Sequence, residues 1–403
     1  MRFSGSIPAT ERTARRFRQA AVSVVAVSAA AAAIATGCVR NELADGANGG
    51  EASTEICFSL TPVKTGTKAA TFSTFPADSA FGTIAWYLPR DKTWRDNSDE
   101  AVLYIGHEKI SCGGGVWKAW ESGQTYWWPE GGQLTFFSWA PYCLKDDSRF
   151  SLDRDNGGLV IRNWTVEPTP GYGADAVYGT AGAASSKKCV DLLTARSTDL
   201  SGNSANTWSV ADGTAFSGYG AKIQFRHALC RVSFVISLDY APEDGAKWFV
   251  ENVSLQDIYT CGTFRANSWV EYAASSISDY SVSFVTSDTP DGLEVTAAES
   301  KTLFPKTMMI PQPLTSSTSG TLTRTPRITI AVWKKGSYDS SGKKDIQYLT
   351  GRLYSNTTER IRWGEGTDIT YHVYIATGAE NYIDFDASVG GWSTGGDSDI
   401  EMK

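Results

Sequence analysis

His107, His227 and His372 are all the imidazole the chain has in 403 residues. None has a neighbour at triad or metal-ligand spacing, so acid–base and metal chemistry lack their usual parts. His227 falls between Phe225 and Leu229 on the apolar parity of a strand, the place of a hydrogen-bonded core histidine. Asp153-Arg154-Asp155-Asn156-Gly157-Gly158 opens like a calcium loop, but its fifth position is Gly157 and its twelfth Trp164. Without those carboxylates the segment reads as a tight hairpin turn. Ser185–Lys188 and Ser340–Lys343 place SxxK in polar loops, and no nucleophile elbow, Walker loop, dinucleotide fingerprint or HExxH occurs. These residues imply no enzyme, no metal and no cofactor.

The strongest chemical signal is at the N-terminus. Arg2, Arg12, Arg15, Arg16 and Arg18 precede an uncharged, Ala- and Val-rich run from Ala20 to Gly37. That is the basic and apolar order of a secretory signal. The run ends in Ala35-Thr36-Gly37-Cys38, which resembles a bacterial lipobox. Cys38 is therefore expected to carry acyl chains, and more than one chain anchors a protein stably to a membrane. Residues 1–37 form the signal peptide, and 38–53 a polar, Gly-containing tether. The leader holds five Arg and one Glu, so its removal takes the chain from −7 to −11 and leaves 366 residues. Such an acidic chain has no excess of cations to replace counterions, which excludes a nucleic-acid partner. Cys57, Cys112, Cys143, Cys189, Cys230 and Cys261 remain, widely spaced and without CxxC. They are expected to be free, buried thiols.

The elements that must carry these residues are strands. Ile56, Phe58 and Leu60 alternate with Cys57 and Ser59; Val232, Phe234, Ile236 and Leu238 alternate with Ser233, Val235 and Ser237. Ile328–Val332, Tyr371–Ile375 and Ile383–Val389 repeat the pattern. Each presents one apolar and one polar face, and Gly, Pro, Asp, Asn and Ser clusters separate them. No amphipathic helix of three turns follows the signal. The fold class is all-β, with β-sandwich architecture. The polar stretch Ser197–Gly220 marks a boundary, giving domains at 54–218 and 219–403. Apolar parity switches near Cys230–Arg231, implying a bulge or a change of sheet there. Leu314–Thr325 and Lys334–Asp345 read as long hairpin loops. Aromatics are abundant, with 14 Trp. Most suit the cores, while adjacent Trp127 and Trp128 must face opposite ways on a strand; exposed rings could stack on sugars.

Several segments in order resemble the fimbrillin-like lipoproteins that build type V pili. Cys38 and the Ile56–Leu60 strand are followed by Thr67-Lys68-Ala69 and by Phe81-Gly82-Thr83-Ile84-Ala85-Trp86. Tyr126-Trp127-Trp128-Pro129 with Gly132, Leu134, Phe136 and Ala140-Pro141 comes next, then Asp191-Leu192-Leu193-Thr194-Ala195. Phe225-Arg226-His227-Ala228-Leu229, Ile310-Pro311-Gln312 and Val389–Trp392 complete the series. The resemblance implies two transthyretin-like β-sandwich domains in tandem and no enzymatic activity. It also implies a lipid-anchored outer-membrane precursor whose first strand a protease removes, the groove then taking a strand from a neighbouring subunit. In this sequence the first strand is Thr54–Val63, the processing candidates are Lys64 and Lys68, and the donor candidate carries Ile383, Phe385, Ala387 and Val389. The family's usual arginine is Lys68 here, and Asp384 and Asp386 require one wet donor face. Partners are then other pilus subunits, membrane lipid through Cys38 and a host or glycan ligand; shaft, anchor and tip roles all fit. A second reading, an outer-membrane glycan-binding lipoprotein of a polysaccharide-uptake system, rests on the tryptophans.

Overall fold

The computed structural model describes residues 54–61, 75, 77–142, 150–153, 158–166, 191–202, 220–265, 267–319, 322–353, 362–375 and 383–391. By its contacts the chain divides into Met1–Glu51 and Ala52–Lys403, and all described residues belong to the second unit. Strands are their dominant element, with one four-residue α-helix, α1 (Trp94–Asn97), and two short 3-10 turns. The first ten strands are β1 (Phe58–Thr61), β2 (Ala80–Pro89), β3 (Val102–Gly113), β4 (Val116–Lys118), β5 (Gly132–Ala140), β6 (Phe150–Asp153), β7 (Gly158–Thr165), β8 (Leu193–Leu200), β9 (Ala221–Gln224) and β10 (Arg226–His227). Eight of them make one sheet in the order β10-β8-β5-β2-β3-β4-β1-β9, antiparallel except where β1 runs parallel to β9.

The two ends of that sheet are consecutive in the chain. Only Phe225 separates β9 from β10, so one segment pairs with β1 through its first part and with β8 through its second. The sheet thus closes on itself around a core of Ile56, Phe58, Phe81, Phe136, Ile223 and Phe225. At the β8–β10 closure His227 Nδ1 lies 2.6 Å from Asp191 Oδ2, both side chains buried, and Ala228 N donates to Leu192 O. Ser197 Oγ donates to Lys222 O across the same closure. The Asp191-Leu192-Leu193 and Phe225–Leu229 motifs, far apart in sequence, meet here. His227 is the hydrogen-bonded core histidine its strand parity indicated.

The remaining strands are β11 (Cys230–Leu238), β12 (Trp248–Tyr259), β13 (Cys261–Arg265), β14 (Ser268–Tyr272), β15 (Ile277–Ser283), β16 (Leu293–Val295), β17 (Lys301–Met309), β18 (Ser317–Ser319), β19 (Leu322–Arg324), β20 (Arg327–Lys334), β21 (Gln347–Arg352), β22 (Thr367–Ile375) and β23 (Ile383–Gly391). Sheets β17-β11-β22-β23 and β15-β12-β20-β21 face each other across a second core that includes Val232, Phe234, Leu255, Ile330 and Val373. The parity switch is a change of sheet: His227 ends the closed sheet and Cys230 begins the sandwich. The polar insert at Leu314–Thr325 is the β18–β19 hairpin. Ser197–Leu200, part of the polar boundary stretch, continues β8.

A fourth sheet, β14-β13-β7-β6, draws strands from both halves of the chain. It covers the outer face of the closed sheet, over Ile84, Trp86, Phe137 and Trp139. Strands β2 and β5 are therefore apolar on both faces, which is why Leu134–Ala140 shows no clean alternation. Gly82 is required where the Trp139 indole crosses β2, because a Cβ there would lie 2.3 Å from the ring. Gln312 pins the end of β12 to the chain after β17: its side-chain amide donates to Tyr259 O and Ile310 O and accepts from Tyr259 N. The buried Arg324 guanidinium donates to the same amide oxygen and to Asp257 O and Pro313 O, and burial lowers its pKa to about 10.

Replacing Asp191 by Ala removes a buried hydrogen bond from His227 at the closure. Losing the partner of a buried polar group costs about 1–3 kcal/mol, so urea unfolding of Asp191→Ala should show a loss of that order.

Candidate functional site

The closed sheet makes the first strand a filling for a slot. Along one rim Trp128 N donates to Thr54 O at 3.0 Å and Ile56 N to Tyr126 O at 2.7 Å, and Phe58 is opposite Trp117 of β4. Along the other rim Ala221 N donates to Cys57 O at 2.7 Å, and Phe58–Thr61 runs parallel to Ala221–Gln224. Gly220, at φ +131°, brings its backbone against the Cys57 carbonyl, where a Cβ would lie 2.8 Å from that oxygen. Both the conformation and the space demand glycine.

Alternation decides what the strand buries. Ile56 and Phe58 point into the core, and the Phe58 ring stands edge-on to Phe81 at 5.7 Å and to Phe136 at 5.5 Å. Leu60 packs on the same core and is half-buried. Phe75, beyond both processing candidates, stacks on Phe225 at 5.3 Å and meets Trp117 edge-on at 5.4 Å. On the outward face Lys118 Nζ lies 2.9 Å from Glu55 Oε1 and 4.4 Å from the Trp120 ring. Cys57 is 1% exposed, and burial, reinforced by Glu55, pushes its thiol up to about 11.

Cys38, Lys64 and Lys68 lie outside the described residues. Ile383, Phe385, Ala387 and Val389 fall on β23, which pairs antiparallel with β22 from Ile383↔Ile375 to Gly391↔Thr367 and is the edge of its sheet. Asp153 pairs with Gly158 across β6 and β7, as a hairpin requires; residues 154–157 lie outside the described residues. His107 packs against Trp139 at 4.8 Å. Among the described residues no cluster of His, Cys, Asp or Glu is arranged to hold a metal. Cys57, Cys112, Cys230 and Cys261 are free; Cys57 and Cys230 are buried, Cys112 and Cys261 partly so. Trp86, Trp94, Trp128, Trp139 and Trp164 are buried, while Trp120 and Trp127 are 46% and 37% exposed. Sequence reasoning found the first strand but not its two rims, since pairing partners 60 to 160 residues away leave no mark on its alternation.

The sequence matches the fimbrillin-like family over residues 67–392. No curated protein matches the chain in sequence. Among solved structures, a fimbrial protein from Bacteroides vulgatus is 16% identical, with a TM-score of 0.57 over 84% of this chain and 100% of that one. A fimbrilin, FimA, from Porphyromonas gingivalis is 10% identical, with a TM-score of 0.41 over 85% of this chain and 98% of that one. The Bacteroides vulgatus superposition shows a shared fold.

Two outcomes follow from the slot. Truncating a buried aromatic ring costs about 3–5 kcal/mol, so Phe58→Ala should lower the unfolding free energy of the unprocessed chain by that order. The folded Cys57 value of about 11 lies above the 9.0 of an unperturbed thiol. The unfolded chain therefore releases this proton first, and the thiol's contribution is complete below about pH 9 and lost as the pH rises through about 11. The stability difference between the wild type and Cys57→Ala, measured by denaturant titration, should shift against the wild type over that interval.

Proposed function

The chain belongs to the fimbrillin-like family, and from that premise we propose that it is a structural or adhesive subunit of type V fimbriae, assembled by donor-strand exchange. A fimbrial location puts it at the cell surface. In this reading Cys38 holds the precursor in the outer membrane, residues 38–53 tether it, and the two halves 54–218 and 219–403 act as transthyretin-like domains in tandem, the second lending β9 and β10 to the first. Cleavage after Lys64 or Lys68 frees residues 54–63, and the C-terminal strand of a neighbour fills the slot. A subunit that keeps its first strand would serve as an anchor or tip.

The observation that carries the proposal is the position of β1 inside a closed sheet. Its removal uncovers a row of backbone donors and acceptors on β9 together with the rings of Phe81 and Phe136. Unpaired edges and exposed apolar surface both favour uptake of another strand. Phe75 supports the same reading, because it lies beyond the processing candidates and holds the new N-terminal segment on the core by Phe81 and Phe225. Among the described residues the glycan-binding alternative has Trp120 and Trp127 as exposed rings, since the other tryptophans named above pack inside.

Mass spectrometry of protein taken from cells should find acyl groups on Cys38 of the precursor. Limited trypsin digestion of the full chain should move the N-terminus to Thr65 or Ala69 and yield a detergent-resistant ladder of oligomers. A digested chain that retains residues 54–63, or loses them and stays monomeric, overturns the shaft reading.

A further inference from the structure

Resting on the strand-exchange reading above, we propose that a second copy of this chain enters the slot in one fixed register. Ile383 takes the place of Ile56, Phe385 that of Phe58 and Ala387 that of Leu60, in the direction of the departing strand. Two lysines on opposite rims then meet the two donor aspartates.

Charge complementarity carries the inference. Phe58 is opposite Trp117 in an antiparallel pair, so Cys57 is opposite Lys118. On the other rim Ser59 is opposite Lys222. Positions 57 and 59 share the outward face of the strand, and the slot therefore carries one cation on each side of that face. In the unprocessed chain Lys118 is paired with Glu55, while Lys222 has no ion-pair partner among the described residues. Processing removes Glu55 and leaves Lys118 without its carboxylate. The donor sequence Ile383-Asp384-Phe385-Asp386-Ala387 repeats the apolar spacing of Ile56-Cys57-Phe58-Ser59-Leu60 and puts a carboxylate at both outward positions. Asp384 falls beside Lys118 and Asp386 beside Lys222. Position 57 is buried, and a carboxylate is tolerated there only with a countercharge.

Other registers fail on size or charge. A slip of one residue turns both aspartates into the core. A slip of two puts Ala387 or Ile383 between Phe81 and Phe136, where a phenyl ring stood. Reversing the strand keeps the charges but exchanges the ends. Ala387 would then stand at the fully buried Ile56 site and Ile383 at the half-buried Leu60 site. The forward direction gives the larger side chain the deeper place. The donor would leave its own sheet by giving up one ladder, because β23 is an edge strand paired with β22 alone in that sheet.

The test uses full chain processed by trypsin, the protease then inhibited, and a labelled synthetic peptide of residues 381–391. The wild-type peptide should bind. Juxtaposed like charges oppose association strongly, so Lys118→Glu in the chain or Asp384→Lys in the peptide should each weaken binding by about tenfold or more. The two changes together should restore it. Lys222→Glu and Asp386→Lys should behave in the same way; Lys222 is exposed, so this pair decides the matter if Lys118→Glu misfolds. Indifference to the single changes, or rescue of Lys118→Glu by Asp386→Lys in place of Asp384→Lys, overturns the register. A wild-type chain that forms oligomers yet ignores the peptide overturns residues 383–389 as the donor. A chain that neither oligomerises nor binds it removes the strand-exchange reading as well.

Discussion

Closure of the eight-stranded sheet is the constraint on which the molecule depends. A sheet with two free edges presents unpaired backbone groups to any passing strand. Here the short segment from Ala221 to His227 consumes both edges at once, one through the parallel ladder to β1 and the other through the β8–β10 pairing. The second closure is fixed by the β8–β10 ladder and the buried Asp191–His227 pair. The first depends on β1, the first strand of the described residues. One junction thus lies next to the start of the sandwich, and the other depends on β1.

The shared sheet joins the two halves of the chain through strands other than β1. Strand β13 pairs with β7, and Gln312 and Arg324 tie the β12–β13 turn to the chain beyond Ile310. Trp269 Nε1 donates to Ala228 O at the point where the chain passes between sheets. These bonds lie on the far side of β2 and β5 from the slot, so the outer apolar layer over Trp86 and Trp139 does not draw on the first strand. Strands β2 and β5 are buried on both faces and closely packed.

Much of this was legible in the residues. The alternating segments at Ile56–Leu60, Val232–Leu238 and Tyr371–Ile375 are strands, His227 is a core histidine, and the polar insert at Leu314 is a hairpin. The ordered motifs had a physical basis that the sequence did not display: Asp191-Leu192-Leu193 packs against Phe225–Leu229, and Tyr126–Trp128 forms a rim for the first strand. Leu134–Ala140 was harder to read, because a strand covered on both faces loses the period of two.

By itself the sequence determined the strand-rich class, the apolar parity of the alternating strands and the scarcity of imidazole groups. These are local properties, set by side-chain type and by the two-residue repeat of an extended chain. Only the tertiary structure decided that β1 lies between β4 and β9, that the sheet closes through Phe225, and that Lys118 and Lys222 stand on opposite rims of the slot, two strand positions apart. A strand's neighbours are chosen by the packing of residues distant along the chain, and no periodicity within the strand encodes them.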